Sequence, residues 1–313
     1  VFNSCSALTE ITLPASLKEI GNGAFSYCYN MKLTGLPEGL ETIGESAFYG
    51  CLFPDELTIP ESVKSIGDSA FYSYSSDNLK KVIITSKDVE ISGSNSTLYG
   101  AEIFAYSGST AQDYAKKYGM FFNDLETGER YLMGSYDVYS YKILDGVLTL
   151  SGSGPCEYIP SSTLPGSNEV EKVIIEDGVE TIGSSAFSSF SKLTEVQIPD
   201  SVTYIGSNAF AYCYNLDEVL IPNAECELPS DSSIVSSGIT IAGHTDSTAQ
   251  AHAYKHGRKF HDIDKDTYIQ QGKCGDDMTF TVADGVITIT GTGEMYSDPS
   301  FSGNTDITSA VIE

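Results

Sequence analysis

Five copies of one six-residue string constrain this chain more than anything else in it. Ile-Gly-x-x-Ala-Phe begins at Ile20, Ile43, Ile66, Ile182 and Ile205. The steps are 43−20 = 23, 66−43 = 23 and 205−182 = 23 residues. A fixed period of this length marks a solenoid, in which each unit buries its apolar face only by stacking on its neighbours. In the unit that starts at Leu193, the apolar residues Leu193, Val196 and Ile198 suit a short, half-buried strand. Pro199 ends it, because proline cannot donate to a ladder. Val202 and Ile205 turn inward again. Gly206 is expected to permit a backbone bend, and Ser207 to cap a single helical turn containing Ala209 and Phe210. Ala209 is small where the turn meets the next coil, and Phe210 fills the space between coils.

These residues resemble the BspA-like leucine-rich repeat family, whose units read Leu-x-x-Leu-x-Leu-Pro-x-x-Leu-x-x-Ile-Gly-x-x-Ala-Phe-x-x-Cys. Leu8, Ile11, Leu13, Pro14, Leu17, Ile20, Gly21, Ala24, Phe25 and Cys28 fill every named position. Residues 31–51 follow with Met31, Thr34, Leu36, Pro37, Leu40, Ile43, Gly44, Ala47, Phe48 and Cys51. The third unit departs at its start and ends in Tyr74 where the others have cysteine. The resemblance implies a repeat scaffold on bacterial cell surfaces, often linked to adhesion. It carries over no catalytic residue.

A larger repeat encloses the small one. Residues 109–119 read as a helix with Ser109 and Gln112 as a capping box and Gly119 as a stop. Residues 247–257 repeat that pattern 247−109 = 138 positions later. Both are expected to cap the solenoid, since its ends need atypical cover. Asp145-Gly146 and Asp284-Gly285, 139 positions apart, lie between alternating apolar residues and signal two-residue hairpins. The expected organisation is therefore three modules. Residues 1–128 form a repeat module with its capping helix. Residues 129–268 form a second, with an opening hairpin, repeats and cap, which should fold alone. Residues 269–313 start a third. The polar stretches 126–131 and 264–272 are expected as linkers. The fold class is thus a β-rich α/β leucine-rich-repeat solenoid, with one helical turn per repeat, opening hairpins and short capping helices. Val1–Cys5 already reads as the end of a repeat, so the chain is expected to be cut from something longer.

Charge bounds the partners. Forty-three acidic against 17 basic residues give a net charge of −26, which argues against nucleic acid and against anionic membranes. No apolar run of about 18 residues is present to span a bilayer. Seven cysteines cannot all pair within the chain. Cys5, Cys28, Cys51 and Cys213 share one repeat position, which Tyr74 and Phe190 fill elsewhere. The favoured reading is buried free thiols in apolar packing, against disulfides or metal ligation. Cys156, Cys226 and Cys274 lie outside that position and have no assigned role.

The candidate site is a set of tyrosines. Tyr27, Tyr29, Tyr49, Tyr72, Tyr74, Tyr212 and Tyr214 all follow an Ala-Phe turn, so stacking aligns them along an edge. They read as packing rings, as interface residues, or as both. His252 and His256 are four apart on a capping helix, as zinc ligands can be. The 138-residue shift puts them on Tyr114 and Tyr118, however, which favours half-buried aromatic positions. Asp262, Asp264 and Asp266 alternate as in a calcium loop, but the glycine and glutamate of that loop are missing at Thr267 and Lys273. A solvated acidic linker is the preferred reading. No nucleophile motif, phosphate loop or carboxylate pair stands out. The expected function is non-enzymatic: a secreted or surface-anchored scaffold binding an extracellular protein or glycan, monomeric and without cofactor. The rival readings are a structural spacer and, behind it, a carbohydrate-active enzyme.

Overall fold

The computed structural model describes all residues except 1, 75–78, 94, 137, 157–163, 165, 231–232 and 296–306. It divides into two compact units, Val1–Ser135 and Tyr136–Glu313. Each is a β-solenoid with few helices.

In the first unit two parallel sheets run along the stack. One joins Glu56–Ile59, Lys81–Ile84, Glu102–Ala105 and Phe121–Asp124. Its register puts Leu57 against Val82, Val82 against Ile103, and Ile103 against Phe122. All four are buried, while Glu56, Lys81 and Glu102 line the outer face. This is the period of two expected of a strand with one buried side. The second sheet joins Glu19–Ile20, Thr42–Ile43, Ser65–Ile66 and Glu90–Ile91, with Ile20, Ile43, Ile66 and Ile91 in register.

The Ala-Phe segment differs from expectation. It is a run of turns rather than a helical turn. Gly23, Ser46, Ser69, Ser185 and Asn208, two residues before each phenylalanine, have φ between 53° and 59°. Ser4, Tyr27, Gly50, Ser189 and Tyr212, two residues after, are also left-handed. A helix cannot continue through such residues. The left-handed residues flank amides that point along the stack. Gly23, Phe25 and Tyr27 donate to the carbonyls of Glu45, Ala47 and Tyr49 at 2.7–2.8 Å, one coil on. Ser46, Phe48 and Gly50 do the same to Asp68, Ala70 and Tyr72. Ser207, expected as a cap, instead offers its carbonyl to the amide of Ser185. This third ladder satisfies buried backbone groups that a lone turn would leave open.

Inside that ladder the phenylalanines stack. Ring centroids of Phe2, Phe25, Phe48 and Phe71 follow at 5.4, 5.4 and 5.6 Å, with interplanar angles of 4°, 8° and 13°. Phe187 and Phe210 repeat this at 5.4 Å and 10° in the second unit. Burying each ring contributes about 1.5–3 kcal/mol. The recurring glycine has a different cause from the one expected. Gly206 does not have positive φ; a Cβ there would lie 2.5 Å from Ser184 N and 2.8 Å from Gly183 C. Close approach of stacked backbones, not a bend, requires glycine.

The second unit opens with Tyr139–Leu144 antiparallel to Val147–Gly152. Asp145 and Gly146, at φ 48° and 76°, make the primed turn that their sequence signals. Lys172–Ile175 and Glu195–Gln197 continue the sheet in parallel. Both expected helices form. α1, Thr110–Tyr118, is capped by Ser109, whose side chain accepts from Gln112 N, and ends at left-handed Gly119. α2, Thr248–Lys255, is capped in the same way by Ser247.

The polar stretches expected as linkers are strands and tight turns. Arg130–Tyr136 pairs antiparallel with Phe121–Asp124. Thr267–Lys273 pairs antiparallel with Lys259–Asp262 on one side and with Gly275–Ala283 on the other. The hairpin of 275–295 therefore continues the sheet of the second unit, and a boundary at 268 falls inside a strand. Asp262, read as part of a solvated linker, has no exposed side-chain surface. It accepts from Thr245 Oγ1 at 2.8 Å and Lys265 Nζ at 2.9 Å. Its Oδ1 also takes the Asp264 amide at 3.1 Å, which closes the turn.

Candidate functional site

The turn ladder sets where each tyrosine falls. Tyr49 and Tyr72 directly follow Phe48 and Phe71 and emerge beside the phenylalanine stack one coil apart, whereas Tyr27 lies two places after Phe25, next to buried Ser26. In the first unit the structure brings Tyr27, Tyr29, Tyr49, Tyr72 and Tyr74 into one continuous aromatic edge. Tyr27 meets Tyr49 edge-on at 5.3 Å, and Tyr49 stacks on Tyr72 at 5.2 Å and 22°. Tyr74 stands nearly perpendicular to both, at 81° and 87°. Its hydroxyl bonds to that of Tyr49, and this bond, with burial, pushes the Tyr49 pKa up. Tyr29 lies against Tyr27 at 5.9 Å, over left-handed Gly50, where a Cβ would come within 3.3 Å of its ring. The rings thus cover each other's turns and still present surface: Tyr29 is 51% exposed and Tyr74 66%.

Tyr212 and Tyr214 belong to the second unit. They pair with each other at 6.3 Å and are 57% and 77% exposed.

Sequence reasoning missed Tyr99. It meets Tyr72 at 5.4 Å and extends the edge by one coil. The amide of Phe71 bonds to Thr97 O, as that of Phe48 bonds to Ala70 O. Thr97-Leu98-Tyr99 therefore stands where Ala70-Phe71-Tyr72 stands in the coil before. The step is 97−70 = 27, not 23, so a fixed-period search passes over it. The available signal was a small residue, a large apolar one and a tyrosine after Ile91.

The strand face is organised differently. Lys81 pairs with Glu56 at 2.8 Å and lies over Phe104 at 4.3 Å. Arg130 pairs with Glu102 at 2.9 Å and covers Phe121 at 3.8 Å. Lys172 pairs with Glu195 at 2.8 Å in the second unit. These half-exposed pairs add little stability, but they occupy the charges on that face.

Cys28, Cys51, Cys213 and the pair His252 and His256 are packing groups. Cys28, Cys51 and Cys213 are buried, and each Sγ donates to the carbonyl of the phenylalanine one coil back, at 3.0, 3.2 and 3.1 Å. Cys226 and Cys274 are also buried and free, whereas Cys5 is exposed; the side chain of Cys156 lies outside the described residues. His252 and His256 touch at 4.5 Å between ring centroids, as Tyr114 and Tyr118 do at 4.7 Å in the first unit. His252 is 5% exposed, and burial pushes its pKa down to about 4, with His256 adding to the shift. Of the other two histidines, His261 stacks on Tyr268 at 4.2 Å and bonds to Glu218, and His244 bonds to Asp264 at 2.9 Å. Among the described residues no cluster of three or more His, Cys, Asp or Glu is arranged to hold a metal, and no helix is long and apolar enough to cross a membrane.

Stacked coils of a 23-residue unit, with a phenylalanine core and sheets of short parallel strands, define a leucine-rich-repeat solenoid. The chain belongs to the BspA type leucine rich repeat region family, which it matches in six copies over residues 1–103 and 149–237. No curated protein matches it. Among solved structures it is similar to a leucine-rich repeat protein from Bacteroides ovatus, at 20% identity and a TM-score of 0.40, over 83% of this chain and 79% of that one. It is also similar to a leucine rich cell surface protein from Faecalibacterium prausnitzii, at 20% identity and a TM-score of 0.33, over 79% of this chain and 62% of that one. The pneumococcal vaccine antigen PcpA shows 15% identity and a TM-score of 0.33, over 76% of this chain and 74% of that one.

Proposed function

We propose that this chain is a non-enzymatic repeat scaffold, extracellular or on the cell surface, that binds a protein or glycan through its tyrosine edge. One observation carries the reading. The rings of Tyr27, Tyr49, Tyr72 and Tyr99 adjoin from coil to coil, with Tyr29 and Tyr74 exposed beside them. Tyrosine offers apolar contact area with a polar tip and loses little conformational entropy on binding. A surface needed only for solubility has no use for exposed aromatic rings in a row. Membership of the BspA-type family supports the scaffold role, and the paired charges of the strand face leave the edge as the better binding surface.

The test is an array of glycans and extracellular-matrix proteins probed with the full chain and with Tyr29→Ala/Tyr74→Ala. Capture by the wild type and its loss in the variant, at an unchanged melting temperature, supports the reading. Equal capture by both removes the edge from the function. No capture at all favours the spacer, a rigid stack that holds other domains at a distance.

A further inference from the structure

We propose that the tyrosine edge of the first unit binds an uncharged, extended glycan, laid along the solenoid axis with one sugar ring to each coil. This rests on the reading of that edge as the binding surface and names its ligand class.

Charge points to the ligand first. The chain is 19% charged and carries −26 overall. Residues 24–31, 47–54, 70–74 and 97–101 nevertheless contain no Asp, Glu, Lys or Arg. These are the segments that build the edge on four successive coils. What they expose instead is Tyr27, Tyr29, Asn30, Tyr74 and Tyr99. Attraction between charged partners depends on complementary charge, which this edge lacks. A basic protein patch or an anionic glycan would find its counterpart elsewhere on the molecule, or nowhere. A neutral sugar chain needs no such counterpart. Its C–H faces pack on aromatic rings, and its hydroxyls bond to phenol and amide groups.

Geometry points the same way. Ring centroids along Tyr27, Tyr49, Tyr72 and Tyr99 repeat at 5.3, 5.2 and 5.4 Å. The backbone bonds between coils fix that step for Tyr49, Tyr72 and Tyr99, which hold equivalent positions, while Tyr27 lies one place further along its coil. The step is close to the length of one pyranose in an extended β-linked chain, though the rings meet at different angles, 67°, 22° and 46°. Tyr74, across the ends of the stacked pair and two-thirds exposed, supplies a ring plate at the surface. The second unit provides an internal comparison. Tyr212 and Tyr214 lie on one coil, and the coil before it has Ser189 and Ser191 in the corresponding places. A site one coil deep holds a chain ligand poorly.

The test is calorimetric titration of the full chain with neutral β-1,4-linked glucose, mannose and N-acetylglucosamine oligosaccharides, from dimers to hexamers. A sulfated glycan is run in parallel, and all titrations are repeated at low and high salt. Affinity for a neutral series should climb with length to the tetramer and then level, because four coils carry a ring. It should not respond to salt, which screens charge and nothing else here. Tyr29→Ala/Tyr74→Ala should weaken it about tenfold or more, while Tyr212→Ala/Tyr214→Ala leaves it unchanged. Melting temperatures separate a lost site from a lost fold. Failure of every neutral series, a salt-sensitive preference for the sulfated glycan, or indifference to Tyr29 and Tyr74 overturns the inference. If the neutral sugars fail but an array protein is lost in the same double variant, the edge remains the binding surface and only the glycan assignment falls.

Discussion

A Cβ built on Gly206 would lie 2.5 Å from the backbone nitrogen of Ser184, one coil away. Gly44 and Gly67 meet the coil beside them just as closely, at 2.6 and 2.3 Å from Asn22 N and Glu45 N. Gly21, at the same repeat position, has nothing within 4 Å. Gly206→Ala must push two backbones apart and should destabilise by about 1–3 kcal/mol, the usual cost of overpacking. Gly21→Ala should stay within about 0.5 kcal/mol of the wild type. Denaturant melts of the two variants check this, and equal losses would remove close approach as the cause.

A second expectation concerns the thiols. Burial pushes the pKa of Cys51 up to about 12 and that of Cys213 up to about 11. The thiolate is the reactive form, so both should resist alkylation in the native protein. Cys5 is exposed and should label readily. Site-resolved mass spectrometry after brief alkylation reads the contrast. Rapid labelling of Cys51 would mean that the coils open far more easily than their ladders suggest.

The second capping helix should be sensitive to acid. Burial, the larger cause, and His256 hold the pKa of His252 at about 4, against 6.5 for an ordinary histidine. Below pH 6.5 the unfolded chain takes up a proton that the folded chain refuses. Stability therefore falls as pH drops from about 6.5 to about 4, by up to about 3 kcal/mol, and this contribution stops below that. His252→Tyr, which places the residue of the equivalent Tyr114, should flatten the dependence. Thermal melts between neutral pH and pH 4.5 decide, and parallel curves for both proteins would contradict the assignment.

Fragment boundaries give a fourth test. Residues 129–313 hold the second compact unit together with the whole strand Arg130–Tyr136 and should fold alone with a single cooperative melt. Residues 129–268 lose most of the strand Thr267–Lys273, which Lys259–Asp262 pairs with. An open apolar sheet edge invites aggregation, so the shorter fragment should be the less soluble. A soluble, cooperative 129–268 would favour separate modules instead.

Much of this architecture was legible in the sequence, and the reasons are local. Phe210 had to be buried between coils because its period repeats. Asp145-Gly146 named its own turn, and Ser109 and Gln112 named the start of α1. What escaped was set by neighbours across the stack. The left-handed residues are Gly23, Ser46, Ser69, Ser185 and Asn208, a mixture in which no single residue type signals the turn. Thr267–Lys273 shows no alternation of apolar residues, because backbone pairing on both sides makes it a strand. Tyr99 was hidden by four extra residues in its coil. The exposed tyrosines could be found from sequence, but their contiguity needed the coil-to-coil distances.

The most direct test of the binding edge is footprinting of the full chain, with and without the partner that the array selects. Nitration reports the tyrosines and carboxyl labelling reports the strand face. Free protein should be modified at Tyr29, Tyr74 and Tyr99 and spared at Tyr114, which is 5% exposed. With partner bound, Tyr29, Tyr74 and Tyr99 should become protected while Glu56 and Glu195 label as before. Protection of Glu56 and Glu195 with the tyrosines unchanged would place binding on the strand face and contradict the account.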